Sequence, residues 1–586
     1  MRPSTRKWLL FILAVATWYG ASTRLPPLNA QRKEYHLTLP PLPGELAGSM
    51  LATPLLAVGR APLVDYYWLR ATKLKEEGRF FDALQLSQRI CELQPKFAAV
   101  WAFQAWNMAY NISVTLQSPE ERWRWVRNGY ELIRDQGIPL NPNNAQLYKE
   151  LAWILFHKVG DFMDDWHFYY KNELAKQMED VLGVPPPGFV RPGRVRGDFY
   201  RDYDFKSLAD APKRYTDLVA EEEVRVFAEE MARFGFDCTR NKVFLGVLKA
   251  VREDMLEMPD TPEHQQIDRR QAFLKVLNDP KHESAKRKME LFWRSWRLRN
   301  EQKMDPARIV EMQDAFGVTF DFRLAETQAL YWANLGMEMG SDKREALDIH
   351  KLNTNRIEFY CLQKMFHRGR LAMSRNAAIG EPPLLEPDLR VIPALFEAFI
   401  NDSKKYKDLE NDDKPVSENF RTGFVGFMRS SILRYHEAGM NDKAEELFKY
   451  LSEHYDDPMY RDGLNQFLAR QMIPDRELGD YRVTAARIMA MINRGLQNYA
   501  YDEDEQALQY IARARQLFDR YQTNALSDRQ KFPENAFDIW IEEVTHQIGG
   551  QMPRETYLRL CDKLKIEPLP DSPPETVGPN QEQPAP

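Results

Sequence analysis

Cysteine is scarce in this chain, with four residues among 586. Cys91, Cys238, Cys361 and Cys561 stand far apart, and none has a second metal ligand at the spacing of a zinc finger or ribbon. The sequence therefore excludes a structural zinc site of those types. In an exported chain the four thiols allow three disulfide pairings, whereas the apolar neighbours of Cys91 and Cys361 favour buried thiols.

The sequence motifs of common enzymes are also missing. The chain contains no phosphate-binding glycine loop ending in Lys-Ser/Thr, no GxGxxG after a strand, no GxSxG and no HExxH. Carboxylate pairs such as Asp412 with Asp413 stand in turn-like strings, which are typical of helix caps and solvated loops. We therefore predict a protein that is not an enzyme and that needs no cofactor.

Neither sign of charge is in large excess. A net charge of -6 on a chain with 28% charged residues is mild, so nothing indicates nucleic acid as a partner.

The length of 586 residues is too great for one compact core. A helical-repeat array can exceed that limit, because each unit buries its apolar face only against its neighbours.

The chain does contain a short pattern that occurs three times. In each copy a large residue is followed one helical turn later by a small residue and then by another apolar one. A small side chain at this position lets a second helix cross closely, so the predicted unit is a helix pair. The three copies are Tyr67, Ala71 and Leu74; Trp101, Ala105 and Met108; and Tyr148, Ala152 and Leu155.

The residues after the first copy predict a second helix, with signals of their own for a turn, a helix contact and a stop. Gly78 suits a tight turn, Ala83 a helix contact and Pro95 a stop. At these residues the chain resembles the tetratricopeptide repeat (TPR) family, whose fold is a stack of antiparallel helix pairs with a concave inner face. The later copies depart from the family, since residues 110–141 are interpreted as an insertion between the second and third copies.

Two exact strings carry a further resemblance. WAFQAWNMAYNISV and RWRWVRNG are similar to segments of a group of membrane-anchored bacterial envelope proteins of unassigned function. The similarity covers about the first third of the chain, and it implies a location rather than a chemistry.

In the family that the chain resembles, ligands lie along the concave face made by the first helix of each pair. The resemblance implies a groove floored by aromatic residues and suited to a peptide segment. Alternatively, these aromatic residues belong to the core and are covered by the insertion at 110–141. The inward positions are Trp68, Thr72 and Lys75 in the first copy, Trp106 and Tyr110 in the second, and Lys149, Trp153 and His157 in the third.

The stretch KRKMELFWRSWRLRN interleaves basic and aromatic side chains. Arg294, Arg297 and Arg299 are candidates for binding an anionic membrane surface or polymer. The alternative is an amphipathic helix whose tryptophans pack inward while its arginines stay solvated.

The stretch HKVGDFMDDWHFYYK is rich in potential metal ligands. His157 with Asp161, and Asp164 with His167, stand one helical turn apart. Gly160 is expected to break the helix between them, which leaves Asp161 as a cap and the other two residues as a surface pair. We therefore predict no metal site.

The N-terminus has the three-part layout of a secretory signal. Arg2, Arg6 and Lys7 precede an apolar run from Trp8 to Tyr19 that is short for a bilayer span. We predict an uncleaved anchor in the bacterial inner membrane, with the bulk of the chain outside the cytoplasm. A cleaved signal peptide and a buried N-terminal helix are the alternatives.

A second apolar run, residues 50–64, is interrupted by Pro54, Arg60 and Pro62. It is predicted either to cap the first repeat or to lie on the membrane surface.

Repeat-like signals return in the second half of the chain and support an α-solenoid. They are Trp332, Leu335, Gly336 and Met339; Gly439, Ala444 and Phe448; and Gly495, Ala507, Ile511 and Ala514.

Together these patterns predict an all-α, TPR-like α-solenoid with an N-terminal membrane anchor and a disordered tail. Its predicted function is a scaffold that binds a protein or peptide at the outer face of the inner membrane. The alternative is an envelope polysaccharide-binding module or enzyme that uses the tryptophan-rich groove. The predicted divisions are a signal anchor or signal peptide (1–23), a stalk and cap (24–64), helical repeats (65–183), a Pro/Gly/Arg linker (184–197), a helical middle region (198–320), degenerate repeats (321–566) and a proline-rich tail (567–586).

Overall fold

The computed structural model shows an all-α protein, with 79% helix and 1% strand. Most of the predicted anchor (1–23), most of the stalk, the linker (184–197) and nearly all of the tail lie outside the described residues. The structure describes isolated positions between 15 and 31, position 552, and residues 54–183, 203–252, 255–259, 261–339, 349–372, 384–406, 418–438, 440–471, 481–524, 531–549 and 554–569.

Helices follow one another through the whole described chain. We number the α-helices from the first long one. They are α1 Pro54–Glu76, α2 Phe80–Leu93, α3 Ala98–Trp106, α4 Pro119–Leu132, α5 Ala145–Trp153, α6 His167–Leu182, α7 Phe205–Asp210, α8 Tyr215–Leu218, α9 Glu222–Arg233, α10 Asn241–Arg252, α11 Gln266–Leu277, α12 Glu283–Asn300, α13 Pro306–Phe316, α14 Ala325–Met339, α15 Ile349–Arg368, α16 Ile392–Tyr406, α17 Glu418–Glu437, α18 Asn441–His454, α19 Gly463–Gln471, α20 Tyr481–Ala500, α21 Asp504–Asn524, α22 Ala536–Gly549 and α23 Arg554–Leu564.

Short elements complete the chain. Three π-helical turns extend α3, α4 and α5, and an antiparallel strand pair, β1 with β2, follows α15. The strands are β1 Arg370–Ala372 and β2 Leu384–Glu386. The π turns are Asn107–Ile112, Ile133–Gly137 and Ile154–Val159; a helical turn Ile138–Leu140 follows the second, and the 3-10 turns are Ser113–Thr115, Glu263–Gln265, Pro280–His282, Leu389–Val391 and Pro458–Tyr460.

The first four helices form two consecutive pairs, α1 with α2 and α3 with α4. Helix α5 packs on α3, α14 and α15, and α6 contacts the π-helical turn that follows α5. Gly78 turns the chain between α1 and α2 with a φ of +74°, a conformation that glycine adopts without strain. The small residues of the sequence pattern, Ala71, Ala105 and Ala152, are all fully buried. The predicted helix-pair register therefore places its small side chains at packed positions.

Residues 110–141, which we interpreted as an insertion, contain a helix that packs on the second copy. They contain α4, the second helix of the second pair, which begins with Ser118 as its N-cap and Pro119 at its first position. Gly129 brings α4 so close to α3 that a β-carbon there would lie 2.8 Å from the carbonyl oxygen of Ala105. The segment thus packs against α3 as a partner helix.

The apolar run before the first repeat is also continuous with it. Helix α1 starts at Pro54 and passes through Pro62, where we predicted a break. A proline inside a helix removes one backbone hydrogen bond, and here the helix continues on both sides of it.

The main hydrophobic core runs from Val64 to Leu468. In it, α14 packs against α5 although more than a hundred residues separate them in the chain. Gly336 makes this approach possible, because a β-carbon at this position would lie 2.5 Å from the Cβ of Tyr148. The repeat-like signal around Trp332 therefore belongs to a helix that packs directly on α5.

Two further apolar clusters have cores of their own. One lies between Leu218 and Trp293, within α8 to α12. The other lies between Ile488 and Leu560, within α20 to α23, where Gly495 lets α20 approach Ile511 of α21. Ala444 and Phe448 are buried in α18, which packs on α17, whereas Gly439 lies outside the described residues.

All four cysteines are buried free thiols. Among the helices that the structure describes, none combines the length and the apolar content needed to cross a membrane.

Candidate partner-binding face

A line of aromatic rings runs along one side of α3 and α5. We call Phe103, Trp106, Tyr110, Trp153 and His157 the aromatic face. The first three lie on α3 and its π turn at positions i, i+3 and i+7, which share one side of a helix. Trp106 stacks on Tyr110 with ring centroids 4.4 Å apart, and Trp153 stacks on His157 at 4.9 Å.

Two hydrogen bonds join the helices across this face. Trp106 Nε1 donates to Glu150 Oε2 at 2.5 Å, and the Tyr110 hydroxyl lies 3.3 Å from His157 Nδ1. Glu150 also pairs with Lys149, whose Nζ lies 2.6 Å from Oε1. The side chains predicted from two separate repeats are therefore brought together into one connected surface.

The protonation of the Tyr110–His157 pair follows from its surroundings. Burial, followed by the negative charge of Glu150, raises the pKa of Tyr110, so its hydroxyl keeps its proton. Burial lowers the pKa of His157, which keeps its ring neutral at pH 7. Both groups are therefore neutral, and a single hydrogen bond joins the Tyr110 hydroxyl to His157 Nδ1.

Both of these residues lie in π-helical turns, Tyr110 in Asn107–Ile112 and His157 in Ile154–Val159. An additional residue in a helical turn changes the direction of the side chains that follow it. Such π turns occur often at functional sites. Here they place the end of α3 and the end of α5 so that Tyr110 and His157 meet.

The exposure of the rings differs along the face. Trp106 is 37% exposed, and Tyr110, Trp153 and His157 are half-buried. Helix α4 approaches α3 most closely at Gly129, which lies against Ala105 and Ala109, and Tyr110 and Trp153 pack their inner sides against the main core. The arrangement leaves these aromatic rings open to contact from outside.

The residues predicted in the first repeat extend the same line. Trp68 packs on Phe103 with ring centroids 5.2 Å apart, and Lys75 Nζ lies 5.5 Å from the centre of the Phe103 ring. Thr72 is exposed and donates its hydroxyl hydrogen to the Trp68 carbonyl oxygen. Phe103 thus connects α3 with α1, although the sequence pattern did not identify it.

Sequence reasoning also missed Glu150, Lys158 and Tyr360. Glu150 lies two positions before the register residue Ala152, and Lys158 lies 5.4 Å from the centre of the Tyr110 ring. Tyr360 comes from α15, is 40% exposed and stacks on Phe156 beside Trp153. A local helical pattern could have included Glu150 and Lys158, but it has no means of finding a residue two hundred positions away.

A buried charge cluster lies behind the aromatic face. Asp164 accepts hydrogen bonds from Lys158 Nζ at 2.6 Å and from the Tyr170 hydroxyl at 3.1 Å, and Arg122 Nη1 lies 3.4 Å away. Its pKa is lowered: burial favours the neutral acid, and the bond from Lys158, the backbone N–H of Trp166 and the Lys158 charge outweigh that effect. Asp164 therefore holds Lys158 in place beside Tyr110.

A second carboxylate of the same loop is held by α15. Asp161 Oδ1 lies 3.0 Å from Lys364 Nζ, and the Gly160 carbonyl oxygen accepts from Arg368 Nη2 at 2.7 Å. Lys171 Nζ donates to the Asp161 carbonyl oxygen at 3.0 Å and lies 2.8 Å from His167 Nδ1. These bonds fix the turn between α5 and α6 against a distant helix.

The possible metal ligands of this stretch are thus engaged by cations and hydroxyls. Within the described ranges, no three His, Cys, Asp or Glu side chains are grouped so that they could hold a metal ion.

The three arginines proposed for an anionic surface lie elsewhere, at the contact of α12 with α6 and α7. Arg294 is buried and bonds to Glu290 and to the Val181 carbonyl oxygen, so its assignment to an exposed surface was wrong. Arg297 bonds to the carbonyl and carboxylate oxygens of Asp180. Arg299 bonds to Ser295 and lies near Asp305.

The physical reason lies at the end of α6. Arg294 and Arg297 donate to its last carbonyl groups, which lack partners within the helix and carry partial negative charge. These guanidinium groups are used in packing one helix against another.

Comparison of the chain with models of known protein families, with curated proteins and with solved structures found no match.

Proposed function

We propose that this protein is a TPR-like scaffold that binds a peptide segment of a partner protein along the aromatic face. The observation that carries the proposal is the line of rings from Trp68 to Trp153, of which Trp106 is 37% exposed at the contact of α3 with α5. The consecutive pairs α1–α2 and α3–α4, the packing of α3 on α5 and the packing of α14 on α5 support a stacked α-solenoid.

The chemistry of the aromatic face suits a peptide. Tryptophan and tyrosine are enriched among the residues that contribute most to protein–protein binding, because they bury a large area and keep one polar atom. At this face the polar atoms are already held, Trp106 Nε1 by Glu150 and the Tyr110 hydroxyl by His157. A ligand therefore contacts preorganised rings and does not have to order them.

A site-specific cross-link tests this proposal. A photoreactive amino acid is placed at Lys149, within the proposed face, in the full chain in its native cell. A second chain carries the same group at Arg124, which is exposed on α4 away from the face. We expect a discrete protein adduct from position 149, its loss on adding Trp106→Ala and Trp153→Ala, and no such adduct from position 124.

Other outcomes contradict the proposal. Equal cross-linking at both positions, or an adduct that survives the double substitution, excludes the aromatic face as the binding site. An adduct whose whole added mass is removed by glycosidases favours the polysaccharide-binding alternative. Circular dichroism of the double variant shows whether its helices are retained.

The location of the scaffold is the second part of the proposal. Arg2, Arg6 and Lys7 ahead of a single apolar run support an inner-membrane anchor with the remainder outside the cytoplasm. A reporter enzyme fused after Ile566 is expected to be active only outside the cytoplasm. Cytoplasmic activity of this fusion would overturn the anchor.

A further inference from the structure

The side-chain amine of Lys171 lies inside the turn that joins α5 to α6. Lys171 is only 7% exposed, and among the described residues its Nζ has two hydrogen-bond partners. These are the Asp161 carbonyl oxygen at 3.0 Å and His167 Nδ1 at 2.8 Å. An ammonium group has three N–H groups that each need an acceptor, whereas a neutral amine has two N–H groups and a lone pair. The two partners therefore suit the neutral amine.

The carboxylates whose charge acts on this amine are already paired with cations. Asp161 Oδ1 lies 3.0 Å from Lys364 Nζ, and Glu326 Oε1 lies 3.3 Å from Arg368 Nε. Burial, followed by the charge of Arg368, lowers the pKa of Lys171 to about 7, against the opposing charges of Glu326 and Asp161. About half of the Lys171 side chains are therefore uncharged at pH 7. The charged and titratable groups around the amine come from the turn, α6, α14 and α15, and they are Asp161, His167, Glu326, Lys364 and Arg368.

His167 adds a neutral proton-transfer group beside the amine. Burial, followed by the charge of Lys171, lowers the pKa of His167 to about 4, so its imidazole is uncharged at pH 7. A neutral imidazole has one N–H group and one bare nitrogen, and it can therefore exchange a proton with Lys171 Nζ across 2.8 Å. A buried lysine amine close to another cation and to a proton-transfer group has the features of an activated nucleophile.

We propose that Lys171 is a covalent binding site for small aliphatic aldehydes, which it binds as an imine. The Nζ lone pair attacks the carbonyl carbon, and the carbonyl oxygen then leaves as water with the two protons of the amine while the C=N bond forms. The imine is uncharged, so its burial costs less than that of a charged product. The 7% exposure of Lys171 limits the aldehyde to a small one. The site shares no residue with the aromatic face and does not depend on peptide binding.

Reductive labelling of the folded full chain tests this site. The chain is treated at pH 7 with limiting acetaldehyde and sodium cyanoborohydride, which reduces the imine to a stable ethylamine, and its peptides are then analysed by mass spectrometry. Lys176 is the matched control, because it lies on the same helix and its side chain is 51% exposed. We expect Lys171 to be ethylated at least about tenfold faster than Lys176, since fewer than about one in a thousand ordinary lysines are uncharged at this pH.

Unfolding and pH separate the buried site from ordinary lysine chemistry. In concentrated urea the preference for Lys171 should disappear, because the amine is no longer buried. Above pH 7 the ratio of the Lys171 rate to the Lys176 rate should fall, since Lys171 is already largely uncharged whereas an ordinary lysine gains about tenfold in neutral amine per pH unit. Equal or faster labelling of Lys176 at pH 7, a preference that persists in urea, or a ratio that stays constant with pH overturns the proposal.

A second aldehyde and one substitution test the size limit and the assignment. Benzaldehyde should label Lys176 and leave Lys171 unmodified, and labelling of Lys171 by both aldehydes alike would contradict a site for small aldehydes. Lys171→Arg should remove the rapidly incorporated ethyl group from the chain without changing the labelling of Lys176. Circular dichroism shows whether this variant keeps its helices. A rapid ethyl group that remains in a folded Lys171→Arg chain would belong to another amine, and the assignment would then be wrong.

Discussion

The aromatic face and the apolar cluster within α8 to α12 are both rich in tryptophan, yet they use it in opposite ways. Trp293 on α12 is 6% exposed, stacks on Tyr215 and donates Nε1 to the carbonyl oxygen of Cys238. Trp106 on α3 is 37% exposed and donates Nε1 to a side chain, Glu150. Trp293 is part of a packed core, whereas Trp106 lies at the surface and is held in position by neighbouring side chains.

The difference comes from what lies next to each helix. Helices α8, α9 and α10 all pack on α12, so its aromatic side chains are covered. Helix α4 packs on α3 at Ala105 and Ala109, whereas Trp106, the residue after Ala105, is 37% exposed. The comparison teaches that the density of aromatic residues along a helix does not determine their exposure. The neighbouring helices determine it.

The largest effect that the comparison predicts is at Trp293. We expect Trp293→Ala to lower the free energy of unfolding by about 3–5 kcal/mol, because it leaves a cavity and an unpaired Cys238 carbonyl in a packed cluster. Urea unfolding followed by circular dichroism measures the change. The exposed and ion-paired Arg225→Ala on α9 serves as a control and should change the stability little. A loss below about 1 kcal/mol at Trp293 would mean that this cluster is not a core.

The next effect concerns the charge cluster that holds the aromatic face from behind. Asp164→Asn removes the partner of Lys158 and Arg122, so both cations stay buried without their carboxylate. The expected cost is ~3 kcal/mol at pH 7. The matched control is Asp165→Asn at the exposed next position, which should change stability by less than about 0.5 kcal/mol.

The pH dependence gives a second check on Asp164. Its pKa is lower in the folded protein than in the unfolded chain, so ionised Asp164 stabilises the fold above its ordinary pKa of 3.8. That contribution is lost as the pH falls through the folded-state value. The difference between the original chain and Asp164→Asn should therefore be constant near neutral pH and shrink below pH 3.8. A difference that grows on acidification would contradict the buried ion pair.

Much of the local architecture could be predicted from sequence. The positions of Ala71, Ala105 and Ala152 were predictable because helix crossing places a steric demand on one residue per turn, and that demand appears within a short window. The same reasoning brought Trp106, Tyr110, Trp153 and His157 to one side of two helices. The start of α4 could also have been predicted, because Ser118, Pro119 and two glutamates form a helix N-terminal signal. We interpreted that segment as an insertion instead.

The contacts that complete the site were not predictable in this way. Tyr360, Lys364 and Arg368 come from α15 and contact the π turn and loop that follow α5, about two hundred residues earlier in the chain. The burial of Arg294 likewise depends on the end of α6, which no pattern within α12 contains. Long-range packing of this kind leaves no period in the sequence, so periodicity predicts the helices and not their partners.

The smallest predicted change in stability is that of Trp106→Ala. It is the most informative for the aromatic face, because it can be compared with the same substitution at Trp101 on the same helix. Trp101 is 4% exposed and donates Nε1 to the Pro95 carbonyl oxygen, so Trp101→Ala should cost about 3–5 kcal/mol of stability. Trp106→Ala should cost less than about 1 kcal/mol, because its ring is partly in water already and because Glu150 keeps Lys149 as a partner at 2.6 Å. Thermal and urea unfolding of the two single variants measure the pair side by side. Equal losses of stability in the two variants would place Trp106 in the core and exclude the aromatic face as a binding site. A small loss of stability in Trp106→Ala, together with loss of the cross-link at position 149, would assign the Trp106 side chain to partner binding.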